Sequence, residues 1–155
     1  MNKEFNHCNQ LNQSQTTKTI DDRDKEQKIA DLVHKFNTVI MGMIKHITDY
    51  YGDPHTQKIQ LVLTDVISDS PKEPMSYFLL NIYKNDEYRK NILNQNDKFF
   101  MNHQYNEFTE GNNEKISQIF KFKNLWNQID IDTKNYIKKS MMVLVKICQK
   151  YILSL

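Results

Sequence analysis

The sequence predicts an all-α protein, a small irregular bundle of five to seven helices with a disordered N-terminal tail. Two observations lead to this fold class. Apolar residues recur at steps of three and four through long stretches of the chain, which is the spacing of one helix face. Residues that cap helices stand where these stretches begin and end. The length of 155 residues leaves room for one domain with a single modest core.

The tail is predicted from composition. Residues 1–20 are dominated by Asn, Gln, Thr and Ser and show no apolar period. Such a segment cannot offset the entropy that is lost when it becomes ordered. We therefore predict a disordered polar tail over residues 1–20 and a single helical domain over residues 21–155.

The first helix of the domain is predicted to begin near Asp24, where Asp24 and Gln27 have the spacing of a capping box. Its apolar positions are Ile29, Leu32, Val33, Phe36, Ile40, Met43, Ile47 and Tyr50. Gly52 is a suitable C-cap, Asp53 can cap the next helix, and Pro54 falls in the first turn, where its missing N–H costs least. The sequence thus predicts a helix break at residues 52–54.

Further helices are predicted on both sides of a polar stretch. A second helix carries Ile59, Val62, Leu63 and Val66 on one side. Ser70 with Glu73 predicts a capping box, and Asn85 predicts another helix start. Residues 94–113 are predicted as loop with one helical turn, because they lack a sustained apolar period.

The last third of the chain predicts one or two short helices and then a long one. The apolar residues of the short helices are Ile116, Ile119, Phe120, Phe122, Leu125 and Trp126, and their aromatic side chains are predicted to be buried. Asp130 or Asp132 caps the final helix. Its inward seam is Ile137, Met141, Leu144, Cys148, Tyr151 and Leu155. Three heptads are short for an independent coiled coil, so this seam is expected to pack inside the domain.

Catalysis and metal binding are not expected. The sequence has three glycines and no Gly-rich phosphate loop, no Gly-x-Ser-x-Gly and no His-Glu-x-x-His. The set His46, Asp49, Asp53 and His55 lacks the spacing of a zinc site, as does the pair of His7 with Cys8. We therefore expect a protein that is not an enzyme and that needs no cofactor and no metal.

The cellular setting follows from cysteine usage and hydropathy. Cys8 and Cys148 are too few for the disulfide framework of a small secreted domain. The N-terminus lacks the apolar run of a signal peptide, and no stretch reaches the 18 or more apolar residues of a membrane span. We expect reduced thiols, no membrane span and a cytoplasmic location.

Part of the sequence resembles a known group of proteins. Residues 122–127 read Phe-Lys-Asn-Leu-Trp-Asn, and residues 132–134 read Asp-Thr-Lys before the seam of the last helix; upstream, Tyr83 precedes a charged helix and Phe99-Phe100. This pattern, over about residues 80–148, resembles uncharacterised small helical proteins of large DNA viruses of protists, such as mimiviruses and phycodnaviruses. The resemblance implies an all-helical fold and a viral origin, hence host cytoplasm or virion, and it implies no activity or partner.

With catalysis not expected, binding of another protein is the leading functional hypothesis. Four aromatic residues in the predicted polar loop are candidate surface anchors for such a partner, namely Phe99, Phe100, Tyr105 and Phe108. The alternative is that these rings close one end of the bundle.

Nucleic acid is the other possible partner. Residues 114–155 carry eight lysines against three acidic residues, although the whole chain has a net charge of only +2. The lysines flanking the seam could follow a phosphate backbone, namely Lys134, Lys138, Lys139, Lys146 and Lys150. The alternative is an ordinary solvated face. No Arg lies in this region, which disfavours readout of specific bases.

Overall fold

Two long helices at opposite ends of the chain form the frame of the fold. The computed structural model describes residues 19–155. In it α1 (Ile20–Tyr51) packs along α8 (Ile131–Leu153). The two helices run antiparallel. Near the start of α1, Lys25 Nζ donates to the carbonyl of Leu155, which follows the end of α8, at 2.6 Å. Near the end of α1, the His46 Nε2 lies 3.5 Å from the hydroxyl of Thr133, in the first turn of α8.

Shorter helices complete the bundle between these two. They are α2 (Pro54–Asp69), α3 (Glu73–Phe78), a π-helical segment (Leu79–Tyr83), α4 (Asp86–Leu93), α5 (Asp97–Asn102), α6 (Asn106–Thr109) and α7 (Asn113–Gln128). Within residues 19–155 there is no strand, so the all-α class is confirmed. These residues form eight α-helices rather than five to seven, because the stretch predicted as loop contains both α5 and α6.

The start of α1 differs from the prediction. Thr19 is the N-cap: its side chain accepts from the Asp22 N–H at 3.2 Å, and the Asp22 carboxylate accepts from the Thr19 N–H at 3.4 Å. This capping box lies five residues before the predicted one, so Thr19 and Ile20 belong to the helix rather than to the tail. Residues 1–18, on which the rest of the tail prediction falls, lie outside the described residues.

The predicted break at residues 52–54 is confirmed. Gly52 has a φ of 58° and donates its N–H to the Thr48 carbonyl at 2.8 Å, which ends α1. The Asp53 carboxylate accepts from the His55 N–H at 3.0 Å, and Pro54 is the first residue of α2. A left-handed glycine followed by a capping Asp and a Pro therefore reverses the chain here.

Three other predicted caps have mixed outcomes. The capping box of Ser70 and Glu73 does not form: the Glu73 N–H bonds instead to the Ser70 carbonyl at 3.0 Å, and no side chain caps α3. Asn85 does cap α4, accepting from two backbone N–H groups at 3.1 Å. At α8 the cap is Asp130, whose carboxylate accepts from the Thr133 N–H and hydroxyl.

The core lies where α1, α3, α4 and α8 meet. Phe36 is fully buried and its ring meets the edge of Phe78 at a centroid distance of 5.5 Å. From α8, Leu144 and Cys148 are equally buried, as the seam predicts, whereas Leu155 is exposed. Burial raises the pKa of the Cys148 thiol to about 12, so this thiol is un-ionised at neutral pH.

Two helices are less buried than their sequences predict. Helix α2 has no fully buried residue, and Ile59 and Val62 are exposed, because α2 packs only along one side against α1 and α3. On α7 only Trp126 is buried, at 6% exposure, while Phe120 and Phe122 face solvent. The predicted burial of Trp126 is confirmed, and that of the two phenylalanines is wrong.

Candidate functional site

An aromatic cluster surrounds Tyr88 of α4 at one end of the bundle. The Tyr88 side chain is buried, and five rings lie within 5.3 to 6.4 Å of its centroid, namely Phe99, Phe100, His103, Tyr105 and Phe108. All four aromatic residues singled out in the sequence therefore belong to this cluster, and each is half-buried. Their placement agrees with the alternative that they close the bundle end, while part of their surface stays open to solvent.

Hydrogen bonds hold the cluster together. The Tyr88 phenol donates to the carboxylate of Glu107, and the Tyr105 phenol donates to the Phe100 carbonyl at 2.8 Å. Burial, together with the bond to Glu107 and its negative charge, raises the pKa of Tyr88, while the same bond lowers the pKa of Glu107. The result is a neutral phenol held against a charged carboxylate at neutral pH.

Helix α6 is a single turn between residues in the left-handed region. Tyr105 before it has a φ of 57°, Glu110 after it has a φ of 45°, and Gly111 follows at 74°. This conformation costs a residue other than glycine roughly 1 kcal/mol or more. Contacts made by the side chains of α6 and its neighbours must offset that cost, and the bond from Tyr88 to Glu107 is one of them.

An open groove of about 620 Å³ lies between α3, α6 and α7. We call it the aromatic groove. Its ring and aliphatic lining is Tyr77, Tyr105, Phe108, Ile119 and Phe122, and its polar lining is Glu107, Glu110, Lys115 and Gln118. Tyr77 is 59% exposed and Phe122 is 52% exposed. Of the four predicted surface aromatics, the structure brings Tyr105 and Phe108 into this groove but not Phe99 and Phe100.

Sequence reasoning missed Tyr77 and Phe122 as groove residues. For Phe122 a signal was present, because Phe120 and Phe122 are two residues apart and cannot share one helix face. At least one of them had to leave the buried side of α7. For Tyr77 the helical period was also a signal, because Met75 and Phe78 are the inward positions of α3 and Tyr77 lies two residues from Met75, on the other side of the helix.

A second, more enclosed space lies behind the groove. It is a half-open cavity of about 360 Å³, and Tyr105, Phe108 and Phe122 line both spaces. The far side of the cavity is formed by α1, α7 and α8, including Ile47 and Trp126. The groove and the cavity are therefore adjacent features of one end of the bundle.

The five lysines proposed for nucleic acid do not form one stripe. At about 100° per residue, Lys134 and Lys138 share one face of α8, and the other three share another. Lys134 Nζ lies 5.9 Å from the centre of the Trp126 ring, and Lys138 lines the cavity; both are half-buried. Lys139, Lys146 and Lys150 are exposed. At most these three offer a continuous basic face.

Metal-binding residues do not converge in the part of the chain that the structure describes, where no group of three or more His, Cys, Asp or Glu side chains has the arrangement of a site. His46 instead stacks on Tyr136 with ring centroids 4.7 Å apart, and its Nε2 lies 3.5 Å from the Thr133 hydroxyl. This histidine is a packing residue between α1 and α8.

Comparisons with known proteins found no match: the chain matches no protein-family model, no curated protein and no solved structure. The resemblance to small viral helical proteins stays a prediction. Between residues 19 and 155, none of the helices combines the length and apolar character that crossing a bilayer requires.

Proposed function

We propose that this chain is a non-enzymatic protein-interaction module that receives a segment of another protein in the aromatic groove. The observation that supports this most is the exposure of Tyr77 and Phe122, two large rings that leave more than half of their surface in water while lining one concave surface. Aromatic side chains exposed in this way are typical anchors of protein interfaces. A viral setting, in the host cytoplasm or the virion, belongs to the same proposal and rests on the sequence resemblance alone.

Charges on the groove indicate the partner's chemistry. Glu107 is engaged by Tyr88, but the exposed Glu110 side chain forms no hydrogen bond or ion pair with any residue from 19 to 155. Grooves between helices commonly receive an amphipathic helix through apolar anchors three or four residues apart. The groove also carries the exposed Lys115. The partner proposed here is such a helix, with apolar anchors for the rings, a Lys or Arg for Glu110 and an acidic residue for Lys115.

The groove supports binding rather than catalysis. Its acidic side chains are Glu107 and Glu110. The hydrogen bond from Tyr88 lowers the pKa of Glu107, which makes this carboxylate a weak base at neutral pH. No Ser, Cys or His side chain lines the groove to act as a nucleophile beside it.

Selection from a phage-displayed library of random peptides tests the proposal. The bait is the whole chain, with Tyr77→Ser and Phe122→Ser as groove variants and Leu61→Ser as the matched control, since Leu61 is exposed on α2 and lies outside the groove. We expect enriched peptides with paired apolar residues and a basic residue. They should bind wild type and Leu61→Ser equally and lose about tenfold or more in affinity for each groove variant. If every enriched peptide bound both groove variants with the affinity that it has for wild type, the proposal would be wrong.

A second, weaker proposal is non-specific binding of nucleic acid or another anionic surface. It is supported by Lys139, Lys146 and Lys150, which are exposed on one face of α8 over roughly 16 Å at 1.5 Å per residue. Val143 is also exposed, at a position between them in the helix.

A further inference from the structure

The half-open cavity beside the groove is large for a protein of this size. Its volume is about 360 Å³, within the usual range of ligand pockets, roughly 300 to 1,000 Å³. A cavity of about 150 Å³ in another protein accommodates one benzene ring, so this one has room for about ten to fourteen carbon atoms. Because the cavity is half-open, a small molecule can enter it without unfolding the bundle.

The surface that the cavity exposes is almost wholly apolar. Met43 and Ile47 from α1, Trp126 from α7, and Ile137 and Met141 from α8 contribute to it. Protein interiors are otherwise close-packed, and side chains around an empty space of this size forgo dispersion contacts or leave apolar surface against water. An apolar ligand would supply those contacts and displace that water.

The polar atoms of the rings in the lining are already engaged within the protein. The phenol of Tyr105 donates to the carbonyl of Phe100 at 2.8 Å, and the indole N–H of Trp126 donates to the Asp97 carboxylate at 3.4 Å. The phenol of Tyr88 is taken up by the hydrogen bond described above. None of these three donors is left for a ligand.

The amide and ammonium groups of the lining residues offer no binding partner inside the cavity either. The Asn91 side-chain N–H donates to the Glu87 carbonyl at 2.8 Å, and that of Asn96 donates to the Asn91 side-chain oxygen at 2.9 Å. Gln95 is exposed, and Lys138 is half-buried with its ammonium outside the almost wholly apolar surface. A charged ligand would therefore lose its hydration here without gaining a partner.

We propose that this cavity binds one neutral hydrocarbon molecule of about ten to fourteen carbon atoms. The volume sets the size of the ligand, and the apolar surface with its engaged donors selects a molecule that makes no hydrogen bonds. The proposal does not rest on the aromatic groove. Binding at the two places can be told apart, because Met43 and Met141 line only the cavity whereas Tyr77 and Ile119 line only the groove.

Methyl NMR gives a direct test. Naphthalene, a neutral hydrocarbon of the proposed size, is titrated into the whole protein labelled at its methionine and isoleucine methyl groups, where its ring current shifts nearby resonances. Met43, Met101 and Met141 line the cavity, whereas Met75 lies in the core outside it and Ile119 lines the groove. We expect saturable shifts at the first three, with one molecule per chain and a Kd of about 10⁻⁴ M or tighter, and no comparable shift at the last two.

Naphthalene-2-carboxylate is the matched ligand, since it has the same rings and adds one negative charge. It should bind at least about tenfold more weakly than naphthalene, because its carboxylate would lose hydration without gaining a partner. Equal or tighter binding of the carboxylate would overturn the proposal, because it would show that the site receives a charged group.

The variants are Met141→Trp and Val143→Trp, which place the same ring at two positions of α8. Met141 lines the cavity, whereas Val143 is exposed and lies outside it. Met141→Trp should weaken naphthalene about tenfold or more by filling part of the space, and Val143→Trp should leave the affinity unchanged. If Met141→Trp does not fold, the two ligands still decide the matter on wild type. The proposal is overturned if wild type shows no saturable shift at Met43, Met101 and Met141, if Ile119 shifts most, or if folded Met141→Trp binds naphthalene as wild type does.

Discussion

The phenol O–H of Tyr88 donates a hydrogen bond to the carboxylate of Glu107, and this bond joins α4 to the single turn α6. Helix α6 is too short to be stable alone, and Tyr105 before it and Glu110 after it have left-handed backbones. The bond therefore helps to hold in place the residues of this segment that line both the groove and the cavity.

This bond makes the aromatic cluster sensitive to acid. The pKa of Glu107 is lowered from its ordinary 4.5 in the folded protein, so the carboxylate stabilises the fold above pH 4.5. That contribution is lost as the pH falls through the lowered pKa. We expect Glu107→Gln to reduce the free energy of unfolding by about 1 kcal/mol or less at pH 7, and the difference from wild type to shrink below pH 4.5.

Urea unfolding at pH 7 and pH 3.5 measures this difference. Glu110→Gln is the control, because Glu110 is a neighbouring carboxylate with no partner among residues 19–155. It should have no comparable effect at either pH. If Glu107→Gln destabilised the protein equally at both pH values, the bond would not depend on the charge of Glu107.

Gly42 lies in the interior of α1, where it limits the stability of the longest helix. Alanine in its place should stabilise a helix interior by about 1 kcal/mol. The new Cβ would lie 3.2 Å from the Tyr136 hydroxyl, which must shift by a few tenths of an ångström. We expect Gly42→Ala to gain about 0.5 kcal/mol, and to gain more when it is introduced into a Tyr136→Phe protein, which has no hydroxyl there. Thermal unfolding of the four proteins checks this, and equal gains in both backgrounds would show that the close contact does not matter.

The basic face of α8 is testable through salt. Replacing Lys139, Lys146 and Lys150 with Gln should leave the fold intact, because all three are exposed. Lys138 is excluded from this set since it lines the cavity. We expect nucleic-acid affinity no tighter than roughly 10⁻⁴ M at physiological salt. Micromolar binding that falls steeply with salt, with a slope reduced by about one per lysine removed, would make nucleic acid the leading partner.

Local signals in the sequence predicted local structure well. The break at Gly52, Asp53 and Pro54 and the cap at Asn85 depend on neighbouring residues only, and all formed as expected. The capping box predicted at Ser70 did not form, because the Glu73 N–H bonds to the backbone carbonyl of Ser70 instead of to its side chain. The start of α1 was missed although Thr19 and Asp22 have the spacing of a capping box. Thr19 lies within the polar stretch that was predicted as a disordered tail, and Asp22 lies just after it.

The candidate sites were less predictable, because each gathers residues from helices far apart in the chain. The groove joins Tyr77 to Phe122, and the cavity joins Met43 to Met141. The spacing of residues along the sequence predicts contacts within one helix, but it does not predict which helices lie next to each other. Within α8 the division of the lysines into two faces follows from the helical period, but the sequence does not predict that Lys138 is half-buried while Lys139 is exposed.

Amide chemical-shift mapping with a selected peptide tests the central claim most directly, namely that the aromatic groove is the protein's docking surface. A peptide from the selection is titrated into isotopically labelled protein, with Phe122→Ser as the matched variant. We expect the largest shifts in α3, in α6 and along the Lys115 to Phe122 side of α7, and their loss in the variant. Shifts centred on the exposed lysines of α8 or on α2, and unchanged by Phe122→Ser, would contradict the account.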